Sequence, residues 1–396
     1  MPWLTNVRLP LERVCGHGRD RFWRVGVDDA GLITAVEPLD QGSQAAGDDW
    51  GGDWLSPMGV DLQINGGLGL AFPELTPADL PRLEQLLERL WADGVEAICP
   101  TLVTCAVEPL RQALDVLAEA RRRHRSGRCR LLGAHLEGPF LAYERRGAHP
   151  AEHLASPSLE ALEQRIGGLR CGPGWQEPDD ITLVTLAPEL EGALEVISAL
   201  RERGAVVSLG HSAASEAQAT AAFEAGVTML THVLNAMPDM HRRAPGPVAA
   251  ALLREDVALG LIADGVHVAP TMAVLLQRLA PQQLVLVSDA LGPYGLPDGT
   301  YRWDERPLIV EQGSCRLEDG TLAGVTLPLL EAVRRLARWG GDAEGAIAAA
   351  TLHPRRVLGD RRSIQELLLG LPLAETLRWS GPAADLHGRR AAGTPA

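Results

Sequence analysis

From residue 60 onward the chain alternates strand-like and helix-like patterns, and this alternation restricts its fold more than any other feature. Eight short apolar runs stand out, at 60–64, 95–103, 130–137, 181–187, 206–211, 229–234, 258–263 and 284–289. Between them lie segments of helical periodicity such as 77–94, 190–204 and 215–226, the first ending on a glycine where a helix should stop. Eight strand-helix units over ~250 residues are what a closed (β/α)8 barrel requires, whereas an open doubly wound sheet rarely uses so many. The expected fold is α/β, a TIM-type barrel over residues 55–358.

The flanks carry other patterns. Residues 22–36 (F-W-R-V-G-V-D-D-A-G-L-I-T-A-V) read as a hairpin with D-A-G at its turn, so 1–54 is expected to form a small β appendage, a partial sandwich. A glycine-rich excursion at 291–324 is expected to be partly strand, with helices following at 326–338 and 343–350. The stretch 362–379 reads as more helical than strand-like, and 359–396 is therefore expected to be an atypical helical segment ending in a frayed tail.

Composition excludes some classes of function. A net charge of −14 argues against a general nucleic-acid or anionic-membrane surface. Six arginines crowd 121–130, but they close a helix-like segment, where cations complement the dipole and are solvated. The six cysteines are scattered without a C-x-x-C pair, which signals neither a disulfide framework nor a thiolate zinc site and favours the reducing cytoplasm. The N-terminal residues lack a signal-like apolar core, and no uninterrupted apolar run approaches the ~18 residues of a membrane span.

In a (β/α)8 barrel the reacting groups sit at the C-terminal ends of the strands, where the loops are free to vary. Polar residues fall there in this chain: Glu137 closes the third strand, Glu189 follows the fourth, His211 closes the fifth, His232 lies on the sixth, His267 follows the seventh and Asp289 closes the eighth. Glu137, His211 and His232 come from different strands and would converge at the rim as a carboxylate and two imidazoles with an open position, a catalytic divalent-metal set of the zinc kind. Asp289 beside a metal-activated water suits a general base that later returns the proton to a leaving nitrogen. His135 shares a strand face with Glu137 and is either a supporting partner of the site or part of an interior barrel layer.

With its motifs H-L-E-G-P-F (135–140), V-T-L-A-P-E (184–189), G-H-S (210–212), T-H-V-L-N-A-M (231–237), A-D-G-V-H-V (263–268), S-D-A (288–290) and D-G-T-L-A-G (319–324), the sequence resembles the N-acetylglucosamine-6-phosphate deacetylases of the amidohydrolase superfamily. The resemblance spans about 55–358 and implies hydrolysis of N-acetyl-D-glucosamine 6-phosphate to D-glucosamine 6-phosphate and acetate. By it, Glu137, His211 and His232 match the metal ligands and Asp289 the catalytic base and acid. The donor set, with the first-strand departure described below, leads to an expectation of one divalent ion per chain, zinc first, with iron, cobalt or manganese as alternatives. By the same resemblance, His149 and His267 match histidines that polarise the carbonyl or hold the sugar phosphate, Asn235 and Ala236 fall where the family binds the phosphate, and Arg243 matches a phosphate-binding arginine. Some of these contacts cross a dimer interface in the family, so a homodimer or higher homo-oligomer is implied. Another N-acetylhexosamine phosphate as substrate, or a barrel that binds an amino-sugar phosphate without turnover, are the competing readings.

Two departures from the family are visible. Many amidohydrolases begin their first strand with H-x-H for a second metal, whereas this chain has Asp61-Leu-Gln63-Ile-Asn65, and neutral amides ligate metals poorly. Gln63 is expected near the place of that second metal, contacting water or substrate, with Asp61 as a supporting anchor and Asn65 turning the strand into Gly66-Gly67. The second departure is the C-terminus, where a glycine-rich strand segment is usual and 362–379 is not one.

Overall fold

The structure, a computed structural model, describes residues 2–10, 21–39, 46–175, 179–304 and 306–391. Eight parallel strands surround one axis in chain order: Gly59–Ile64, Val95–Val103, Ala134–Glu137, Ile181–Leu186, Val206–Leu209, Val227–Leu230, Ala258–Leu261 and Leu284–Leu286. The third is preceded by a separate piece, Arg130–Leu131, on the same neighbour. The eighth segment closes on the first where Asp289 N–H donates to Gln63 O (2.8 Å) and Asn65 N–H to Ala290 O (2.7 Å). The closing contact therefore also places Asp289 against the polar face of the first strand.

Both faces of these strands are buried, as in parallel sheets covered by helices. In the first strand Val60, Leu62 and Ile64 join the main apolar core. Asp61 and Gln63, on the opposite face by the two-residue period, are also buried but meet polar partners. Below the site a chain of side-chain hydrogen bonds crosses the barrel: Thr101 Oγ1 to His135 Nδ1 (3.1 Å), His135 Nε2 to Thr185 Oγ1 (2.7 Å), Thr185 to Thr231 (2.7 Å) and Thr231 to Ser208 (2.6 Å). His135 thus belongs to an interior layer, and burial holds its imidazole down at about 4.

The helices follow from local signals. Thr76 and Asp79 form a capping box ahead of a short 3-10 turn (Pro77–Asp79) and the helix Leu80–Ala92, which stops before Gly94 at φ +87°. Ser215 and Gln218 cap Glu216–Ala225 in the same way. In the arginine run, Arg122 and Arg123 bind Glu119, Arg128 binds Glu84 and Glu88, and Arg121 binds Asp180, so these four are paired with nearby carboxylates.

The 291–324 excursion is an antiparallel meander, Gly299–Trp303, Arg306–Glu311, Ser314–Leu317 and Leu322–Val325. Its last strand returns beside the eighth barrel segment, Leu291 N–H donating to Val325 O (2.9 Å), so the meander overhangs the barrel mouth. The hairpin Phe22–Val27 and Ile33–Leu39 pairs Val25 with Val36, and Trp3–Val7 extends the sheet.

The C-terminal segment differs from the helical expectation. Only Ile364–Leu368 is α-helical there, with a single 3-10 turn at Leu373–Glu375; Thr376–Ser380 pairs antiparallel with Trp54–Pro57, and His387–Arg390 adds a third strand. Pro372 blocks continuation of the α-helix, and the 3-10 turn it caps leads directly into the strand. Leu377 and Trp379 bury the same strand face, and Trp379 Nε1 donates to Ser56 Oγ (2.9 Å). Both chain ends thus build one appendage, with Leu4, Val25, Trp50, Leu55, Leu367 and Leu373 in a shared apolar cluster. Of the expected frayed tail, 382–391 is ordered and 392–396 lies outside the described residues.

Candidate metal centre and its pocket

A cavity of about 320 Å³ opens at the C-terminal mouth of the barrel, lined among others by Glu137, His149, His211, His232, His267 and Asp289. Its polar floor comes from strand ends, and Trp303, Leu322 and Ala323 of the meander form an apolar wall. Several floor residues adopt left-handed backbone conformations that side chains seldom take: His211 (φ 49°), His232 (φ 28°), Ala236 (φ 50°) and Asp289 (φ 51°). Such outliers gather where surrounding structure over-determines a functional geometry.

Glu137 Oε1 lies 3.1 Å from both His211 Nε2 and His232 Nε2, which are 3.0 Å from each other. Ligands ~2.0–2.1 Å from a tetrahedral ion stand about 3.3–3.4 Å apart, close to this spacing. The donor chemistry agrees. His211 Nδ1 is 2.8 Å from Arg145 O, a carbonyl that only accepts, so the neutral ring carries its proton there and turns a lone pair from Nε2 toward Glu137. That lone pair and the carboxylate oxygen, 3.1 Å apart, call for a shared cation, a proton in the metal-free protein or a metal ion in its place. The residues therefore fit a divalent metal, and the three buried side chains are the candidate metal group among the described residues.

Around this centre the charges are strongly biased. Burial alone would raise Glu137, but hydrogen bonds with His211 and His232 hold its carboxyl well below the usual range. Burial, and then the neighbouring Glu137 charge, push Asp289 up to about 8 in the metal-free site. Burial likewise raises Asp61 to about 6, and burial with the nearby His211 lowers His149 to about 3. His149 is 3.9 Å from Glu137 Oε2 and stacks edge-on against His211, with Thr104 at its Nδ1.

The structure gives the first-strand residues specific partners. Asn65 Nδ2 donates to Asp289 Oδ1 (2.7 Å), so Asn65 grips the proposed base as well as ending the strand. Gln63 Nε2 reaches both Glu137 Oε1 and Asp289 Oδ1, each at 3.2 Å. Asp61 Oδ1 accepts from the Ser288 and Gln63 backbone amides, tying the first strand to the eighth.

Asp264 and Glu189, in motifs to which the sequence assigned no role for them, act as positioning partners. Asp264 Oδ2 is 2.7 Å from His267 Nδ1 and fixes that ring, while its Oδ1 accepts from two backbone amides. Glu189 accepts from Ser212 Oγ (2.6 Å) and the Ala213 amide, holding the loop that follows His211. Their only signal in sequence was position, Asp264 in D-G-V-H and Glu189 after the fourth strand. Asn235 and Ala236 line the pocket as expected for a binding loop, but Arg243 is exposed and lies outside the lining.

No protein-family model matches the chain. It is 38% identical over 326 residues to a protein named N-acetylglucosamine-6-phosphate deacetylase from Homo sapiens, covering 80% of this chain and 77% of that one. This chain belongs to the N-acetylglucosamine-6-phosphate deacetylase family of the amidohydrolase superfamily. Another relative, 35% identical with 83% of both chains covered, is named N-acetylgalactosamine-6-phosphate deacetylase, from Escherichia coli O157:H7. Among solved structures, the N-acetyl-D-glucosamine-6-phosphate deacetylase of Mycobacterium smegmatis has a TM-score of 0.78 at 27% identity and covers 98% of this chain and 100% of that one. A mutant of the Mycobacterium smegmatis enzyme in complex with N-acetyl-D-glucosamine-6-phosphate gives 0.76 at 27% identity, over 97% of this chain and 98% of that one.

Proposed function

We propose that the chain hydrolyses N-acetyl-D-glucosamine 6-phosphate to D-glucosamine 6-phosphate and acetate. The observation that carries this reading is the carboxylate pair across the cavity floor: Glu137 is committed to two imidazoles, while Asp289, held by Asn65, is left to exchange a proton. Glu137, His211 and His232 would hold one divalent ion, zinc by donor type, with iron, cobalt or manganese suited to the same set. When bound, that ion supplies Lewis acidity to the water and the amide carbonyl. Asp289 takes a proton from the attacking water as oxygen adds to the acetyl carbon. It then delivers the proton to the amide nitrogen as the C–N bond breaks, releasing acetate and the free amine.

His149, beside Glu137, and His267, fixed by Asp264, orient the carbonyl and the sugar phosphate. Asn235 and Ala236 supply the phosphate loop. Arg243, exposed on its own chain, serves the pocket of a second copy in a homodimer. The five described cysteines are all free, which supports a cytoplasmic setting, and no described helix is long and apolar enough to cross a membrane.

A galactosamine-configured substrate is the second reading, favoured by the relative of that name. Metal analysis run beside acetate release on both N-acetylhexosamine 6-phosphates tests these points. The expected result is about one ion per chain and faster release from the glucosamine epimer. No acetate from either sugar, despite bound metal, would reduce the protein to a binding barrel.

A further inference from the structure

The proposed substrate carries a dianionic phosphate, yet the expected phosphate arginine, Arg243, stands outside the pocket of its own chain. Three other arginines lie near the mouth. Arg146 is stacked on Tyr143 and donates to the Tyr143 carbonyl, and Arg306 is committed to Asp304 and to Ala148 O. Arg145 is different: it lines the cavity, is half-buried, and its guanidinium forms no ion pair or hydrogen bond among the described residues.

Backbone hydrogen bonds put Arg145 next to the expected phosphate loop. The turn Tyr143–Arg145 is clamped to His211, with Ala142 N–H donating to His211 O (2.9 Å) and His211 Nδ1 to Arg145 O (2.8 Å). The neighbouring Ser212 N–H donates to Ala236 O (3.1 Å). One dipeptide, His211-Ser212, therefore stitches the Arg145 turn to the Asn235-Ala236 loop. Glu144 shares the lining, and it would disfavour an anion unless a cation stands with it.

We propose that Arg145 is a phosphate-recognising residue supplied by the same chain, selecting phosphorylated over unphosphorylated amino sugar. A guanidinium offers paired N–H donors to two phosphate oxygens, a geometry that lysine only partly replaces. Because the contact with His211 uses the Arg145 carbonyl, changing the side chain leaves that contact available. This inference rests on the proposed substrate, and its test has an arm independent of turnover.

In the metal-loaded full chain, Arg145→Gln is expected to lower the ratio of kcat/KM for N-acetylglucosamine 6-phosphate over N-acetylglucosamine by about 10- to 100-fold, the scale of lost charge-assisted hydrogen bonds. Arg145→Lys restores part of that ratio, and metal per chain stays at the wild-type value. An unchanged ratio, or a fall accompanied by metal loss, overturns the assignment. Should the wild type release no acetate, calorimetric titration with inorganic phosphate decides: binding lost in Arg145→Gln sustains the anion site, and binding equal to wild type sinks it.

Discussion

Replacing Asp289 by Asn separates the proposed catalytic role of this residue from its electrostatic cost to the fold. The amide has nearly the shape of the carboxyl, and its oxygen still accepts from Asn65 Nδ2, so the strand closure and the Glu137, His211, His232 group remain. Lost is the basic oxygen, and turnover is expected to fall by about 10²–10⁴-fold, the usual contribution of positioned proton transfer. Stability should move the other way. In the metal-free protein burial and the Glu137 charge raise Asp289 from 3.8 to about 8. At pH 7 the unfolded chain has released this proton and the folded one retains it. The linkage opposes folding by about 1.4 kcal/mol per pH unit above 3.8, on the order of 4 kcal/mol at neutrality. This penalty grows as pH rises from 3.8 toward 8, and Asn has no such dependence. Urea unfolding of chelator-treated protein at pH 7 should show the variant more stable by about 2–4 kcal/mol, while acetate release from the loaded variant collapses. A variant that turns over within a few-fold of wild type with metal in place would refute the base. One that is no more stable without metal would refute the electrostatic argument.

Glu189→Ala removes the acceptor that holds Ser212 and Ala213, so metal should be lost to a chelator about 10- to 100-fold more readily; equal release rates would make the Glu189 contact incidental to the metal. His353, buried with Nδ1 2.7 Å from Leu284 O, is lowered by burial from 6.5 to about 4. Its contribution is complete above pH 6.5 and is lost as pH falls through 6.5 toward 4, because the unfolded chain binds the proton first; it amounts to about 3 kcal/mol. Unfolding measured from pH 7 to 4 should therefore be less acid-sensitive in His353→Gln, and parallel curves would show that another group carries the dependence.

The barrel was legible because its strands are short apolar runs at regular intervals, and the metal group because Glu137, His211 and His232 interrupt or end such runs with side chains that hydrocarbon alone does not satisfy. What holds those side chains was not legible. The Asn65 to Asp289 bond joins residues 224 positions apart, and the orienting atom for His211 is a backbone carbonyl that leaves no trace in residue type. The C-terminal strand was hidden for a related reason. The leucine-rich stretch before Thr376 has helical character, and the partner that makes Thr376–Ser380 a strand, Trp54–Pro57, lies at the other end of the chain. Local propensity yields to pairing of this kind because strand preference depends chiefly on what packs alongside.

The polar face of the first strand bears on the proposal of a single ion. Where a second metal would neutralise neighbouring carboxylates, Gln63 places one amide nitrogen 3.2 Å from both Glu137 and Asp289. An imidazole pair at positions 63 and 65 would instead turn lone pairs toward those carboxylates and demand another cation. The amides of Gln63 and Asn65 direct N–H groups at the same oxygens, and Asp61 locks their strand to Ser288 from below. Burial first, and then the Glu137 charge that these donors only partly offset, give Asp289 its raised affinity for a proton in the metal-free site. With a cation on Glu137, His211 and His232 the proposed base would be an ionised carboxylate held in place by Asn65 and Gln63, the form in which it can take a proton from water.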